Sequence, residues 1–279
     1  MARNSPFWLR RSWVVSSLAL ENIERMPPSS IGCVLETISL YNTGLINILP
    51  KLRIHGDCEI EWPGLIEREE AHVAEILKQE KPFCVGRVKN MDLGDYAVGV
   101  ITKMSLKDCG LGKLKLTATR REHIAAVLAQ EKPFCVGRVK NMLLEDYAVG
   151  VLTKMSLKDY GVEYLSLSAS EEAHVAGILK QEKPFCVGRV KRMRLEGYGA
   201  SVITKMTIHE DNIMENIVLL ANKEHFSRIL GEGDNNIYLG RIRQGWFDVP
   251  EEVRRKLRYT LVDGEGKEVL EEESDEEVL

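Results

Sequence analysis

The feature that most constrains the fold of this 279-residue chain is an internal repeat with a period of 51 residues. Segments 79–108 and 130–159 differ at only three positions, which are Asp92/Leu143, Gly94/Glu145 and Ile101/Leu152. A third, more divergent copy begins at Gln181, and a partial fourth copy begins near Leu239. A unit of this size cannot bury its own apolar face, so successive copies are expected to stack and share one core.

Each period contains one helix signal and three strand signals. Apolar residues recur at i, i+3 and i+4 in the first copy, at Val73, Ile76 and Leu77. The helix is expected to end at Gln-Glu-Lys-Pro, because proline lacks the N–H group that a helix needs. Three further segments alternate apolar with polar side chains, which predicts strands with one buried and one exposed face. Their apolar residues in the first copy are Val88/Met91/Leu93, Ile101/Met104/Leu106 and Leu111/Leu114/Leu116.

The strand segments resemble leucine-rich repeats of the pattern LxxLxLxxN/CxL. The fullest match runs from Ile101 through Met104 and Leu106 to Leu111, with Cys109 in the Asn/Cys position. The helix segments are similar to the outer helices of the ribonuclease-inhibitor type, which also occurs in cytosolic innate-immune receptors of the NACHT class. The resemblance covers roughly residues 18–245. It implies an α/β fold in the form of a tandem-repeat solenoid, with a function in protein recognition.

A second architecture stays open, because two features depart from the leucine-rich pattern. Tyrosine occupies the Asn/Cys position of one segment in every copy, at Tyr96, Tyr147 and Tyr198. Tyrosine cannot satisfy the backbone groups of the turn in the same way as Asn or Cys. The spacings of 13 residues from Met91 to Met104 and 10 residues from Met104 to Leu114 suit antiparallel hairpins. The alternative is therefore a stack of three βββα units of 51 residues each.

The sequence divides into four predicted regions. Residues 1–68 form an irregular or partial repeat, 69–230 three full repeats, 231–262 a partial fourth repeat with a capping helix, and 263–279 an acidic disordered tail. The capping helix is expected around Val253 and Leu257. Residues 13–20 are expected to form the first strand of the fold. A targeting signal is the alternative for this segment, which follows Arg10 and Arg11.

The charge of the chain is concentrated in the tail. The formal net charge is −4, and six acids lie in the segment 271–277. Removing these six negative charges leaves +2 for the rest of the chain, which is therefore nearly neutral. Six cysteines without a CxxC pair indicate free thiols in a reducing compartment. No apolar run reaches the roughly 18 residues of a membrane span, so no membrane span is predicted and a cytoplasmic location is expected.

Basic residues recur on the first strand of each period and alternate with apolar residues, so they share one face. Stacking should line up eight cations as a stripe, which consists of Arg87, Lys89, Arg138, Lys140, Arg189, Lys191, Arg241 and Arg243. The stripe is extended by a second set of candidates, Lys103, Lys154 and Lys205. Such a stripe can bind an acidic partner or a phosphate backbone. The alternative is a solvated strand face that nearby acids neutralise, namely Asp92, Asp95 and Asp146.

The tyrosines at the strand ends are further candidates for partner binding, because tyrosine supplies rigid amphipathic contact area. They are Tyr96, Tyr147 and Tyr198. The recurring histidines are His72, His123, His174 and His225. They cannot share a metal, since stacked helices lie about 10 Å apart and zinc ligands lie about 2 Å from the ion. We expect them in the first helical turns, and we expect the column Cys84, Cys135 and Cys186 to be buried filler.

No catalytic motif is found in the sequence, since GxSxG, HExxH, GxGxxG and GxxxxGK[ST] are all absent. No catalytic residue, metal ligand or cofactor is therefore predicted. The leading hypothesis is a non-enzymatic recognition scaffold that binds a protein partner through its exposed strand face. The alternatives are a binder of nucleic acid or another polyanion through the Arg/Lys column, and an enzyme with an unrecognised site in the asymmetric ends. A steep loss of affinity with added salt would favour the polyanion.

Overall fold

The computed structural model describes residues 7–9, 15–54, 59–107, 109–157, 160–244 and 247–269. It is a mixed α/β fold that is built on one large parallel sheet of ten strands. In the described part of the chain every strand ladder is parallel, and an isolated antiparallel bridge joins Val262 to Glu268. The α/β class predicted from the sequence is confirmed.

The strands are numbered in chain order. The large sheet consists, in spatial order, of β1 (Phe7–Leu9), β3 (Thr37–Tyr41), β5 (Glu59–Glu67), β7 (Arg87–Asp95), β9 (Gly110–Ala118), β10 (Arg138–Asp146), β11 (Gly161–Ala169), β13 (Arg189–Gly197), β16 (Asn216–Leu220) and β18 (Phe247–Asp248). Three small sheets pair β2 (Ile31–Cys33) with β4 (Leu52–Ile54), β6 (Phe83–Cys84) with β8 (Met104–Ser105), and β12 (Phe185–Cys186) with β14 (Met206–Thr207). A further three-stranded sheet contains β15 (Ile213–Met214), β17 (Ile237–Arg243) and β19 (Leu257–Val262).

Helical segments connect successive strands of the large sheet, as parallel neighbours require. The α-helices are α1 (Ser17–Arg25), α2 (Ala74–Leu77), α3 (Ala97–Val100), α4 (Ala125–Leu128), α5 (Glu172–Leu179), α6 (Ser227–Leu230) and α7 (Glu251–Arg254). The 3₁₀ helices are Leu45–Lys51, Glu70–His72, Ile101–Lys103, Arg121–Ile124, Tyr147–Lys154 and Tyr198–Lys205. The helix predicted at Val73, Ile76 and Leu77 and its two later copies correspond to α2, α4 and α5.

The core lies between one face of the large sheet and the helical segments. Met142 on β10 pairs with Leu114 on β9 and with Leu165 on β11, and all three side chains are fully buried. They belong to the same apolar cluster as Val127 and Val175 of the helices. Full burial of each such side chain stabilises the fold by about 1.5–3 kcal/mol. The row of methionines and leucines therefore holds neighbouring strands in register.

The antiparallel hairpins of the alternative architecture are wrong. The ladders from β7 to β9 and from β6 to β8 are parallel, and the segment that precedes Met104 is helical rather than extended. Val98 lies in α3, Ile101 begins the 3₁₀ helix and Met104 begins β8, and all three are buried. The step from Ile101 to Met104 is thus a helical turn, and the extended segment begins only at Met104.

The ends of the chain also differ from the predictions. Residues 17–25 form helix α1, not the first strand, because the Ser16 side chain accepts a hydrogen bond from the Ala19 N–H and caps the helix. Residues 10–14 lie outside the described part, as does the acidic segment 271–277. The predicted capping helix is a single turn, α7, since Leu257 begins β19. After β19 the chain turns, and the Val269 N–H donates to the Leu261 carbonyl.

Candidate functional site

The side of the large sheet that faces away from the helices carries polar side chains. In β10, Met142 and Leu144 point into the core, whereas Asn141, Leu143 and Glu145 alternate with them and are half-buried. We call this surface the open face and define it by the outward residues of β7, β9, β10, β11 and β13. They are Asn90, Asp92, Lys113, Lys115, Thr117, Asn141, Leu143, Glu145, Tyr164, Ser166, Ser168, Arg192, Arg194 and Glu196. Parallel sheets are commonly covered on both sides, so a polar open face is distinctive.

The register of the strands aligns these residues in three rows that run across the sheet. The first row is Asn90, Lys113, Asn141, Tyr164 and Arg192. The second row is Asp92, Lys115, Leu143, Ser166 and Arg194. The third row is Gly94, Thr117, Glu145, Ser168 and Glu196. Neighbouring members of a row lie about 4.8 Å apart, the distance between paired strands.

Between segments 79–108 and 130–159 the differences fall mainly on the open face. Of the three substitutions between segments 79–108 and 130–159, Asp92/Leu143 and Gly94/Glu145 lie in its second and third rows. The third substitution, Ile101/Leu152, replaces one buried aliphatic side chain by another. The third copy then places Arg192 and Arg194 where the second copy has Asn141 and Leu143.

The predicted basic stripe lies beside the open face, at the amino ends of the strands. Arg87, Arg138 and Arg189 each begin a strand and are exposed. They are not adjacent, because Gly110 and Gly161 occupy the same level on the strands between them. The arginines are therefore about 10 Å apart, which is two strand spacings. The lysines Lys89, Lys140 and Lys191 are exposed two residues further along the same strands.

Other members of the predicted stripe lie elsewhere. Arg241 and Arg243 are on β17, outside the large sheet, and Arg241 donates to the Asp211 carbonyl. The stripe of eight cations is therefore reduced to six on the large sheet. Lys103 and Lys154 do not extend it, because their Nζ atoms donate to the Gln79 and Gln130 carbonyls at helix ends.

Only some of these cations are neutralised by a carboxylate. Lys89 lies 3.9 Å from Glu61, and Arg189 lies 3.7 Å from Asp211. On the open face Lys115 pairs with Glu145 at 3.0 Å and Arg194 with Glu196 at 3.4 Å. Within the described ranges no carboxylate lies within 4 Å of five further cations, which are Arg87, Lys113, Arg138, Lys140 and Lys191. The predicted neutralisation of the stripe by Asp95 and Asp146 is wrong, since both bind histidines.

The open face also contains groups that the sequence analysis did not single out. Lys113, Tyr164, Arg192 and Arg194 escaped notice because they are not repeated from copy to copy. The Arg192 guanidinium lies 5.9 Å from the centre of the Tyr164 ring, within cation–π range. Burial raises the pKa of Asp92, although the positive charges of Lys115 and Lys113 oppose this shift. The signal that could have found them is the contrast between otherwise similar copies.

The predicted tyrosines do not join the basic stripe. Tyr96, Tyr147 and Tyr198 follow the carboxyl ends of strands of nine residues, so about 30 Å separates them from the arginines. Tyr96 and Tyr147 each pack edge-on against a histidine at 4.6 Å, and Tyr198 does so at 4.5 Å. The Tyr198 hydroxyl also donates to Glu224 at 2.8 Å. These rings therefore serve the packing of the strand ends.

Three of the four recurring histidines lie against a carboxylate at the end of a strand, whereas His225 accepts a hydrogen bond from the Asn222 N–H. Nδ1 of His123 lies 3.0 Å from Asp95, and His174 lies 3.1 Å from Asp146. Both aspartates have a φ of +54°, a value that L-residues rarely adopt, and the third copy has Gly197 there. The same role falls to Glu67, which is fully buried and lies 2.8 Å from Nδ1 of His72. Across the described residues no cluster of three or more His, Cys, Asp and Glu side chains is arranged to hold a metal ion.

The cysteine column is not the buried filler that we predicted. Cys84 is exposed, and Cys135 and Cys186 are half-buried. The sulfurs of Cys135 and Cys186 each accept a hydrogen bond from the glycine N–H two residues later, at 3.4 Å. They therefore stabilise a surface turn, which explains why a small side chain with a weak acceptor recurs here.

The open face offers cations, amides, hydroxyls and one aromatic ring on the strands of the large sheet. In the part of the chain that the structure describes, no helix has the length and apolar character needed to cross a membrane. Comparisons of the chain with models of protein families, with curated proteins and with solved structures find no match.

Proposed function

We propose that the chain is a non-enzymatic recognition scaffold, a leucine-rich-repeat-like solenoid that binds a protein partner through the open face. The observation that carries the proposal is the distribution of differences between the copies along the strands of the large sheet. The interior rows are retained, whereas the outward positions next to them change in charge, size and polarity. A surface that is varied on a constant frame is what recognition of an irregular partner requires.

Three features support the solenoid. Each period contributes two strands to the large sheet, and equivalent pairs recur, as with Met142 opposite Leu114 and Met193 opposite Leu165. The Cys109 sulfhydryl donates to the Gly86 carbonyl, which is the turn-satisfying role of the Asn/Cys position. In the third copy Asn212, one position after the equivalent residue Asp211, accepts from the Val190 N–H and donates to the Val190 carbonyl. The 51-residue period would then be two coils, not one βββα unit.

Site-specific photo-crosslinking tests the proposal. A photoreactive phenylalanine analogue replaces Ser166 at the centre of the open face, and a control places it at Ala173, which is exposed on α5. We expect a defined protein partner to be crosslinked from position 166 and not from 173. The crosslink should also disappear when Leu143 is changed to Glu in the same chain. A partner captured equally from both positions, or only from 173, would contradict the proposal.

A second candidate function is polyanion binding through the basic stripe. It is favoured by the exposed cations without a carboxylate partner, above all Arg87 and Arg138. To test this function, Arg87, Arg138 and Arg189 are changed to Glu, and binding of a polyanion is measured at rising salt concentration. Unchanged polyanion binding by the triple variant would exclude the basic stripe as the binding surface.

A further inference from the structure

We infer that the amino-terminal part of the open face, together with the adjoining cations of the basic stripe, binds an extended acidic polypeptide segment that lies across strands β9 to β13. This inference rests on the proposed function and specifies the partner. The surface in question consists of five cations, Lys113, Arg138, Lys140, Lys191 and Arg192, together with Tyr164. We call it the basic patch.

The charges of the open face are segregated along the strands. In its first row the ionisable groups are Lys113, Tyr164 and Arg192, whereas the third row contains Glu145 and Glu196. The second row lies between them, and its Lys115 and Arg194 are already paired with those glutamates. A bound chain with negative charge is therefore attracted to the amino ends of the strands and repelled from their carboxyl ends.

The cations of the basic patch are available for a partner. Lys113 and Arg192 are exposed, and Arg192 contacts the Tyr164 ring rather than a carboxylate. The side chains of Lys140 and Lys191 are exposed without an ion pair to any described residue. Glu163 lies between these two lysines on β11, and Glu215 lies beside Lys191, where its N–H donates to the Lys191 carbonyl. The patch thus keeps an excess of positive charge.

The spacing of the patch matches an extended peptide. Lys113 and Arg192 lie in one row on strands that are three intervals apart, which is about 14 Å. In an extended chain, side chains on one face recur about every 6.6 Å, so residues i and i+4 are about 13 Å apart. Acids at i and i+4 can therefore reach Lys113 and Arg192 together. The residue at i+2 then lies between Asn141 and Tyr164.

A polypeptide fits better than a nucleic acid. The chain has a pI near 6.0, whereas domains that bind nucleic acid commonly have a pI above about 9. A regular phosphate backbone would bring negative charge next to Glu163 and towards Glu145, and this repulsion disfavours nucleic acid. Single-stranded nucleic acid also needs successive aromatic platforms, and the first row of the open face has Tyr164 alone. A peptide can place acids only where the cations are.

The test is fluorescence anisotropy with a labelled nine-residue peptide of alternating Glu and Ser and a Gln/Ser peptide as its neutral counterpart. The test variant is Lys113→Glu with Arg192→Glu. The control variant is Lys132→Glu with Lys180→Glu, which changes two exposed lysines away from the open face by the same net charge. We expect the test variant to lose about tenfold in affinity for the Glu peptide and the control to lose little. Lys113→Arg with Arg192→Lys should retain binding, and circular dichroism verifies that every variant is folded.

Three results would overturn the inference. They are equal binding of the Glu and Gln peptides, equal losses in the test and control variants, and tighter binding of a thymidine decanucleotide than of the Glu peptide. The crosslinking experiment at Ser166 separates this failure from failure of the proposed function. If the protein partner is still captured from the open face, the scaffold proposal stands and only its acidic partner is wrong.

Discussion

Nδ1 of His123 lies 3.0 Å from Oδ1 of Asp95, although the two residues are 28 positions apart in the chain. The ring is buried, with 4% of its surface exposed. Desolvation by this burial lowers the pKa of His123 below its ordinary value of 6.5, and the charge of Asp95 opposes the shift without cancelling it. The folded protein therefore holds a proton on His123 less readily than the unfolded chain does.

This relationship predicts the direction of a pH effect on stability. The contribution of neutral His123 is fully present above about pH 6.5 and is lost as the pH falls below that value, because the unfolded chain then binds the proton. As the pH is lowered from 7.5 to 5, the free energy of unfolding, measured with urea, should thus fall more steeply for the native chain than for His123→Gln. Equal pH dependence of the two proteins would show that the burial of this ring has no such consequence.

A second prediction compares two glycines. Gly188 has a φ of +71°, and a Cβ atom there would collide with the Leu157 carbonyl, whereas a Cβ at Gly177 in α5 meets nothing within 4 Å. Gly188→Ala should lower the free energy of unfolding by at least about 1–3 kcal/mol. Gly177→Ala should raise it by about 0.5–1 kcal/mol, since alanine favours helix. Urea denaturation measures both, and a similar effect at the two positions would be incompatible with the described turn.

A third prediction compares neighbours on β10 that face opposite sides of the sheet. Met142 is fully buried, so Met142→Ala should cost about 2–5 kcal/mol. Leu143 is half-buried on the open face, so Leu143→Ala should cost less than about 1 kcal/mol. The difference in unfolding free energy between the two variants tests which side of β10 faces the core. A larger loss for Leu143→Ala would reverse the assignment of the open face.

A fourth prediction tests the proposed solenoid. Deletion of residues 130–180 removes one period with β10 and β11, and it brings β9 next to β13. The new interface reuses existing partners, because Gly110 and Gly161 both face an arginine and Leu114 and Leu165 both face a methionine. We expect a cooperative, folded protein with a smaller denaturant m-value. Deletion of residues 141–180 breaks the period within β10 and should unfold the chain, so equal folding of both deletions would argue against equivalent coils.

The repeated part of the fold could be predicted from the sequence more completely than the two ends of the chain. The period, the alternation of Met91 and Leu93 with polar residues, and the helix at Val73 and Ile76 follow from local spacing. The helical turn before Met104 was missed because a three-residue spacing in a short apolar run is compatible with either a strand or a 3₁₀ helix. Helix α1 was missed because the sequence analysis did not identify Ser16 as a helix cap.

Prediction of the candidate site required more knowledge of the tertiary structure than prediction of the repeat did. That Arg87, Arg138 and Arg189 share one edge follows from the repeat alone. The glycines between them and the distance to the tyrosines required the strand order. Lys103 could not be assigned from alternation, since its acceptor is a carbonyl 24 residues earlier. Lys113 and Arg192 of the basic patch were not predicted, because the sequence analysis identified only residues that recur at equivalent positions of the copies.

The separation of the two sides of the large sheet has a consequence for protein engineering. Leu143, Tyr164 and Ser166 project away from the interior, so their identities are decoupled from the interactions that hold the strands together. A library randomised at these positions should retain a high fraction of members that express as stable proteins. The chain would then offer a ready framework from which new binding specificities can be selected.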